Sequence, residues 1–249
     1  MALTAVRGAV GFLSRLPVGQ SEVAWRAFGD RPVAFPLAGW LLGGLLATVT
    51  LLPGPDATVA TVFVVATYLL TGPTHADGVA DLGDAAAVHG DPERRRSVMR
   101  DSDLGAGGAL ALTVVVGGLF AAGLSLGSLP VRTAVAVVVA SEVAAKTAMA
   151  TLVCLGTATH EGLASALTAT TDARDLGPVV VAAAPATALS WTAPAATLVA
   201  VPTGAVVAGA LLWWARRTLD GVSGDVFGAA NELTRLVAIH AGVVAWTLS

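Results

Sequence analysis

Three aspartates, Asp77, Asp81 and Asp84, stand at i, i+4 and i+7 in the stretch HADGVADLGDAAAVHG. On a helix that spacing places all three on one face. Ionised carboxylates about 5–6 Å apart repel one another and destabilise the helix that carries them. A divalent cation reverses the sign of that interaction. Magnesium suits such a set, because it takes carboxylate oxygens and keeps water and phosphate oxygens in its shell. Asp77, Asp81 and Asp84 are therefore the expected Mg2+ ligands, and Asp81 and Asp84 are candidate catalytic groups. His75, two residues before the cluster, is a third catalytic candidate, against the alternative of a purely structural hydrogen bond. Gly78, Ala80 and Gly83, set between the aspartates, are expected to let a bulky ligand approach the backbone. The same pattern in a solvated acidic loop would need no metal. The basic residues just beyond it argue for phosphate: Arg94, Arg95, Arg96 and Arg100 supply the planar forks that phosphate oxygens prefer. Most of these arginines serve equally well as topology anchors. Arg100, beside Asp101 and Ser102, is the one expected at the substrate.

A second polar island, LDGVSGDVFGAANELTR, covers residues 219–235. Its glycines and its Ser, Asp and Asn residues predict a loop entering a helix. The free N–H groups of such a helix start can hold phosphate, with Ser223, Asp225 and Asn231 as candidate substrate-binding side chains. A simple interhelical loop is the competing explanation. Glu142 and Lys146, the latter the sole lysine, lie one helical turn apart in an apolar run. Charges inside a membrane are costly and mark a paired or functional site. Lys146 would sit about 21 Å from the outer end at 1.5 Å per residue, close to the side expected for the aspartates. It too is a candidate substrate contact.

The elements that must position these groups are membrane helices. Of 249 residues, 55% are hydrophobic and 12% charged, against about 25% charged in ordinary soluble domains. Much of this surface should face lipid. Spans of about 20 apolar residues are expected near 34–52, 57–72, 105–126, 132–153, 178–196, 197–215 and 233–248. The predicted fold is all-α: a polytopic integral membrane helix bundle of six or seven transmembrane helices, with seven preferred. Residues 1–249 form a single membrane domain. Residues 1–17 form an interfacial helix ended by Pro17, and residues 73–104 form a cytoplasmic acidic active-site segment. With seven spans, nearly every arginine falls in segments 1–33, 73–104, 154–177 and 216–232, and only Arg132 lies in an outer loop. Positive charge collects inside, so the aspartates should face the cytoplasm of a cell-membrane protein. The single cysteine, Cys154, excludes an internal disulfide. The lack of a basic stripe argues against nucleic acid as a partner.

Six segments occur in order: FLSRLPVG (12–19), FPLAGWLLGG (35–44), HADGVADLGDA (75–85), ERRRSVMRDSDLGAGGALAL (93–112), KTAMA (146–150) and GVSGDVFGAANEL (221–233). Together they resemble the cobalamin synthase family, the adenosylcobinamide-GDP ribazoletransferases, over nearly the whole chain. The family commonly has glycine at positions 73 and 85, a basic residue at 103 and arginine at 146. Here Pro73, Ala85, Asp103 and Lys146 stand there. Lys146 keeps the charge without the bidentate fork. The resemblance implies a magnesium-dependent membrane transferase of the last step of cobalamin biosynthesis. It would join adenosylcobinamide-GDP to α-ribazole, or to α-ribazole 5′-phosphate, releasing GMP. It also adds Arg15, in the first segment, to the substrate-binding candidates. The bilayer is the expected partner surface, and a second copy of the chain is a candidate partner. A membrane phosphotransferase of the CDP-alcohol phosphatidyltransferase type is the alternative, although DGVAD matches only part of its aspartate motif. A cation transporter is less consistent, since the spans hold few ionisable groups beyond Glu142 and Lys146.

Overall fold

The structure, a computed structural model, describes residues 2–19 and 21–249, and among these residues it contains helices and no strand. Helix α1 (Ala2–Leu13) buries Ala5, Ala9, Val10 and Leu13 and leaves Leu3 exposed. It ends four residues before Pro17, where the Ser14 hydroxyl donates to the Val10 carbonyl. Helix α2 (Glu22–Gly29) is capped by Ser21, whose hydroxyl accepts from the Ala24 N–H at 3.1 Å. Phe12, Trp25, Phe28 and Phe35 form a chain of ring contacts that seats both short helices on α3 (Ala34–Ala47).

A 3-10 turn, Thr48–Leu51, extends α3, and α4 (Asp56–Thr71) returns. At Gly72, held at φ 76°, the chain bends by 98° into α5 (Thr74–Ala87). That left-handed conformation favours glycine, so the bend that turns the acidic helix away from the span is set by residue type. Helix α6 (Pro92–Met99) follows, with Pro92 in its first turn and the Asp91 carboxylate accepting from the Arg94 N–H. Then come α7 (Ala106–Gly127), α8 (Val131–Leu155), α9 (Leu163–Thr168) and α10 (Leu176–Ala183). The last passages are α11 (Pro194–Ala200), α12 (Thr203–Thr218) and α13 (Gly224–Thr247).

Residues 34–51, 106–127, 131–155 and 194–218 are each long and apolar enough to cross a bilayer, and the bent α4–α5 pair makes a fifth passage if counted as one. Helix α13 has 24 residues, a length of about 36 Å. With the shorter α10 passage these elements fit the six or seven expected. Two boundaries differ: the helix expected at 233–248 starts nine residues earlier, at Gly224, and the passage expected at 178–196 is broken. The segment expected as a span at 178–196 is α10 continued by a 3-10 stretch, Ala184–Ala188, and a turn before Pro194. Pro185 has no N–H for the helical ladder, and Pro194 opens the next helix instead of closing the last one.

Helix α8 lies at the centre and is almost wholly buried. Close approach depends on small residues, as is usual between membrane helices. A Cβ added to Gly39 would lie 2.8 Å from the Glu142 carbonyl oxygen, and one added to Gly204 would lie 2.5 Å from that of Ala144. Leu41, Leu69, Leu110, Val114, Val206 and Trp213 point outward from the bundle. Gly204→Ala should lower the thermal unfolding temperature in detergent, since overpacking costs about 1–3 kcal/mol. Gly117→Ala, with nothing within 4 Å of the new Cβ, should leave it unchanged or raise it, since glycine inside a helix costs about 0.5–1 kcal/mol relative to alanine. Equal melting of the two variants would refute this packing assignment.

Candidate active site

The acidic stretch is helical, and its glycines have a different task from the one expected. A Cβ at Gly78 would lie 2.5 Å from the Asp225 carbonyl oxygen, and a Cβ at Gly228 would lie 3.0 Å from the His75 Cα. These two glycines bring α5 against α13. Gly83 and Gly107 do the same for α5 and α7, where a Cβ at Gly107 would come within 2.4 Å of the Gly83 carbonyl oxygen. Ala80 is buried as well. These glycines thus seat neighbouring helices, and at Gly78 no room is left for a ligand at the α5 backbone.

The carboxylates divide by environment. Asp77 is exposed and Asp81 partly buried. Burial, then Asp225, Asp77 and Asp84, push the Asp81 carboxyl up to about 7. Asp84 has a structural partner: its two oxygens accept from the N–H groups of Gly105 and Gly108, each at 2.9 Å. It therefore caps α7, whose own N-cap, Gly105, has no side chain to offer. An anion at that end also complements the helix dipole.

Helix α13 begins at Ser223, whose hydroxyl donates to Asp225 Oδ2 at 3.1 Å. The loop before it is clipped to the loop after α8: the Val222 N–H donates to the Thr157 carbonyl at 2.8 Å, and the Thr159 N–H to the Val222 carbonyl at 3.1 Å. Arg96 ties α6 to the same place, donating to Asp220 at 2.8 Å and to the Leu219 carbonyl at 2.7 Å. A pocket of about 60 Å³ results, lined by Arg96, Arg100, Thr159, His160, Ser223 and Asp225 among others. Its cations, hydroxyls and one carboxylate suit a phosphate group carrying a metal.

Below the aspartates lies a polar chain sealed at all but its His75 end, where the side chain is 9% exposed. His75 is buried, and burial holds its imidazole down at about 4 despite the nearby Glu232 carboxylate. Asn231 Nδ2 lies 3.0 Å from His75 Nδ1 and 2.9 Å from Glu232 Oε1. Arg235 Nη1 donates to Glu232 at 2.6 Å, and Arg235 also pairs with Glu142. Lys146 closes the chain, with Nζ 2.6 Å from Glu142 Oε2. Lys146 and Asn231, both expected as substrate contacts, are fully enclosed here and meet other side chains. Arg15 stands apart at the α4–α5 corner, where its N–H donates to the Leu70 carbonyl and its stem runs beside Gly72. Glu232, Arg235, Thr159 and His160 were not among the sequence-derived site residues. Glu232 and Arg235 carried a signal, an opposite-charge i,i+3 pair in an apolar run; Thr159 and His160 carried none.

A family model described as cobalamin-5-phosphate synthase matches residues 5–243. An adenosylcobinamide-GDP ribazoletransferase of Halorubrum lacusprofundi is 52% identical over 99% of each chain. A protein of the same name from Haloquadratum walsbyi is 43% identical over 100% of both chains. One from Halobacterium salinarum is 48% identical over 78% of this chain and 97% of its own. No solved structure matches.

The two kinds of carboxylate should separate in stability measurements. Asp84→Ala removes a cap and should lower stability by about 0.5–2 kcal/mol. Asp81→Asn removes one of several clustered like charges, so melting in detergent should be unchanged or raised. Destabilisation by Asp81→Asn as large as that by Asp84→Ala would refute the division.

Proposed function

The chain belongs to the cobalamin-5-phosphate synthase family, and we propose that it catalyses the reaction for which its relatives are named. In that reaction a hydroxyl of α-ribazole, or of its 5′-phosphate, attacks the pyrophosphate phosphorus bearing the cobinamide. A new P–O bond forms, the bond to the bridging oxygen breaks, and GMP leaves with that oxygen. The hydroxyl proton passes to a base or to water. The product is adenosylcobalamin or its 5′-phosphate, the last step of cobalamin biosynthesis. The family match runs through the whole chain, which disfavours a CDP-alcohol phosphatidyltransferase.

The observation that carries this reading is the contact of Gly78 with the Asp225 backbone. It joins two motifs far apart in sequence into one carboxylate cluster beside an arginine-lined pocket. Arg100, Ser223 and the free N–H groups at the start of α13 would orient the pyrophosphate. Asp77, Asp81 and Asp225 would hold Mg2+. The fit rests on an all-oxygen donor set and on carboxylates crowded enough to raise Asp81. No three His, Cys, Asp or Glu side chains among the described residues already form a metal shell. Pyrophosphate oxygens and water would complete it, as is usual for this ion. Magnesium, when bound, supplies charge neutralisation to the transferring phosphoryl group and to leaving GMP.

The expected assay outcome is GMP release from adenosylcobinamide-GDP and α-ribazole by membranes carrying the protein, abolished by chelation and restored by Mg2+. Asp81→Asn and Asp225→Ala should each lower the turnover about 10²–10³-fold, the size of losing one transition-state contact. Asp172→Ala, at a capping turn elsewhere, should be nearly silent. Full activity in Asp81→Asn would sink the assignment.

The site would lie on the cytoplasmic face of the cell membrane. The arginine-rich segments meet at one end of the bundle, through Arg96 to Asp220 and Arg216 to the Leu155 carbonyl, and positive charge collects inside. In a Cys154→Ala background, Ser97→Cys should react with an impermeant maleimide only after the inner face is opened, and Ser249→Cys from outside intact cells. Labelling of position 97 from outside would invert the topology.

A further inference from the structure

The polar chain beneath the aspartates fixes more than packing. Glu232 accepts from Arg235 Nη1, and its other oxygen lies 3.4 Å from the Tyr68 hydroxyl. An ionised carboxylate only accepts, so the Asn231 atom 2.9 Å from Glu232 Oε1 must be the amide nitrogen. The opposite rotamer would set two acceptor oxygens against each other in a site with no water access. The same Nδ2 group, with its second hydrogen, lies 3.0 Å from His75 Nδ1. His75 Nδ1 must then be the acceptor, and the imidazole proton resides on Nε2. Direct bonding of Nδ1 to Glu232 is too long, at 3.9 Å.

We propose that Glu232 and Asn231 are positioning residues that lock His75 in its Nε2–H tautomer, so that His75 donates a hydrogen bond to an oxygen of the phosphate-bearing substrate. The inference rests on the active-site reading above and deepens it. His75 then stabilises negative charge and takes no proton from the attacking hydroxyl, because its one lone pair is engaged by Asn231. The buried pairs Arg235–Glu142 and Lys146–Glu142 hold the far end of this chain. Arg235 keeps Glu232 an acceptor, and Glu232 keeps Asn231 oriented.

Two measurements test this. The first uses full-length protein in nanodiscs, labelled with 15N-histidine, with the His75 signals identified by their absence in His75→Ala. At neutral pH they should show an Nε2–H neutral imidazole, and an Nδ1–H imidazole would overturn the proposal. Asn231→Leu, of similar volume, should release the preference and give mixed tautomers; an unchanged Nε2–H signal would show that Asn231 does not set it. The second compares replacements in the GMP-release assay. The Gln side-chain amide can donate as Nε2–H does but cannot take a proton. His75→Gln should therefore retain activity at least about tenfold above His75→Ala, which should lose about 10²-fold in kcat. Equal inactivity of the two would sink the donor role. If wild-type membranes release no GMP, the reaction assignment fails, while the tautomer result still stands or falls on its own spectrum.

Discussion

Glu142, Lys146, Glu232 and Arg235 lie side by side in an apolar bundle, each no more than 1% exposed. A lone charge there would be ruinous. Together the two acids and two bases sum to zero and satisfy one another at hydrogen-bond distances. Removing one partner of such a pair typically costs about 3–5 kcal/mol, because the other is left buried and uncompensated. The quartet therefore fixes the register of α13 against α8, the central helix. A shift of α13 by a single residue would separate Arg235 from Glu142, and the penalty forbids it.

That register decides the rest. Asn231 sits on the turn of α13 next to Glu232 and meets His75, while Asp225 sits two turns nearer the helix start, against Gly78. Helix α5 is consequently clamped on one side by α13 and on the other by α7, with glycine at the contact points. Clamping explains how clustered carboxylates survive on one helix. Their mutual repulsion, worth a few tenths of a kcal/mol per pair in an isolated helix, is small beside the packing that holds α5. The strain stays in the site, where a bound cation would relieve it. Asp84 shows that the same residue type can serve the scaffold, since its carboxylate caps the start of α7.

A polar substrate pair and a lipid-embedded catalyst must meet at the end of the bundle. The 98° bend at Gly72 lays α5 across that end, and the loops after α8 and α12 close around it. The apolar walls beneath exclude water from the ion quartet, which strengthens the electrostatic interactions it makes.

Much of this was legible in the sequence. The apolar runs gave the membrane bundle, because a span must be apolar for about 20 residues whatever it packs against. The i, i+4, i+7 aspartates gave a single helical face, because that is local geometry. A loop entering a helix within residues 219–235 was legible for the same reason, but not that the helix starts as early as Gly224. Other features depend on what lies opposite, and sequence spacing carries no record of that. Gly78 and Gly83 read as openings for a ligand and turn out to be seats for α13 and α7. Lys146 read as a substrate contact and is instead bonded to Glu142, in a group completed by Arg235 from another helix. Asp84 looked equivalent to Asp81 until α7 placed two N–H groups on it. Chain periodicity determines which residues share a face; only the tertiary structure decides whether that face meets a helix, a charge or a substrate, because burial and pairing belong to both partners at once.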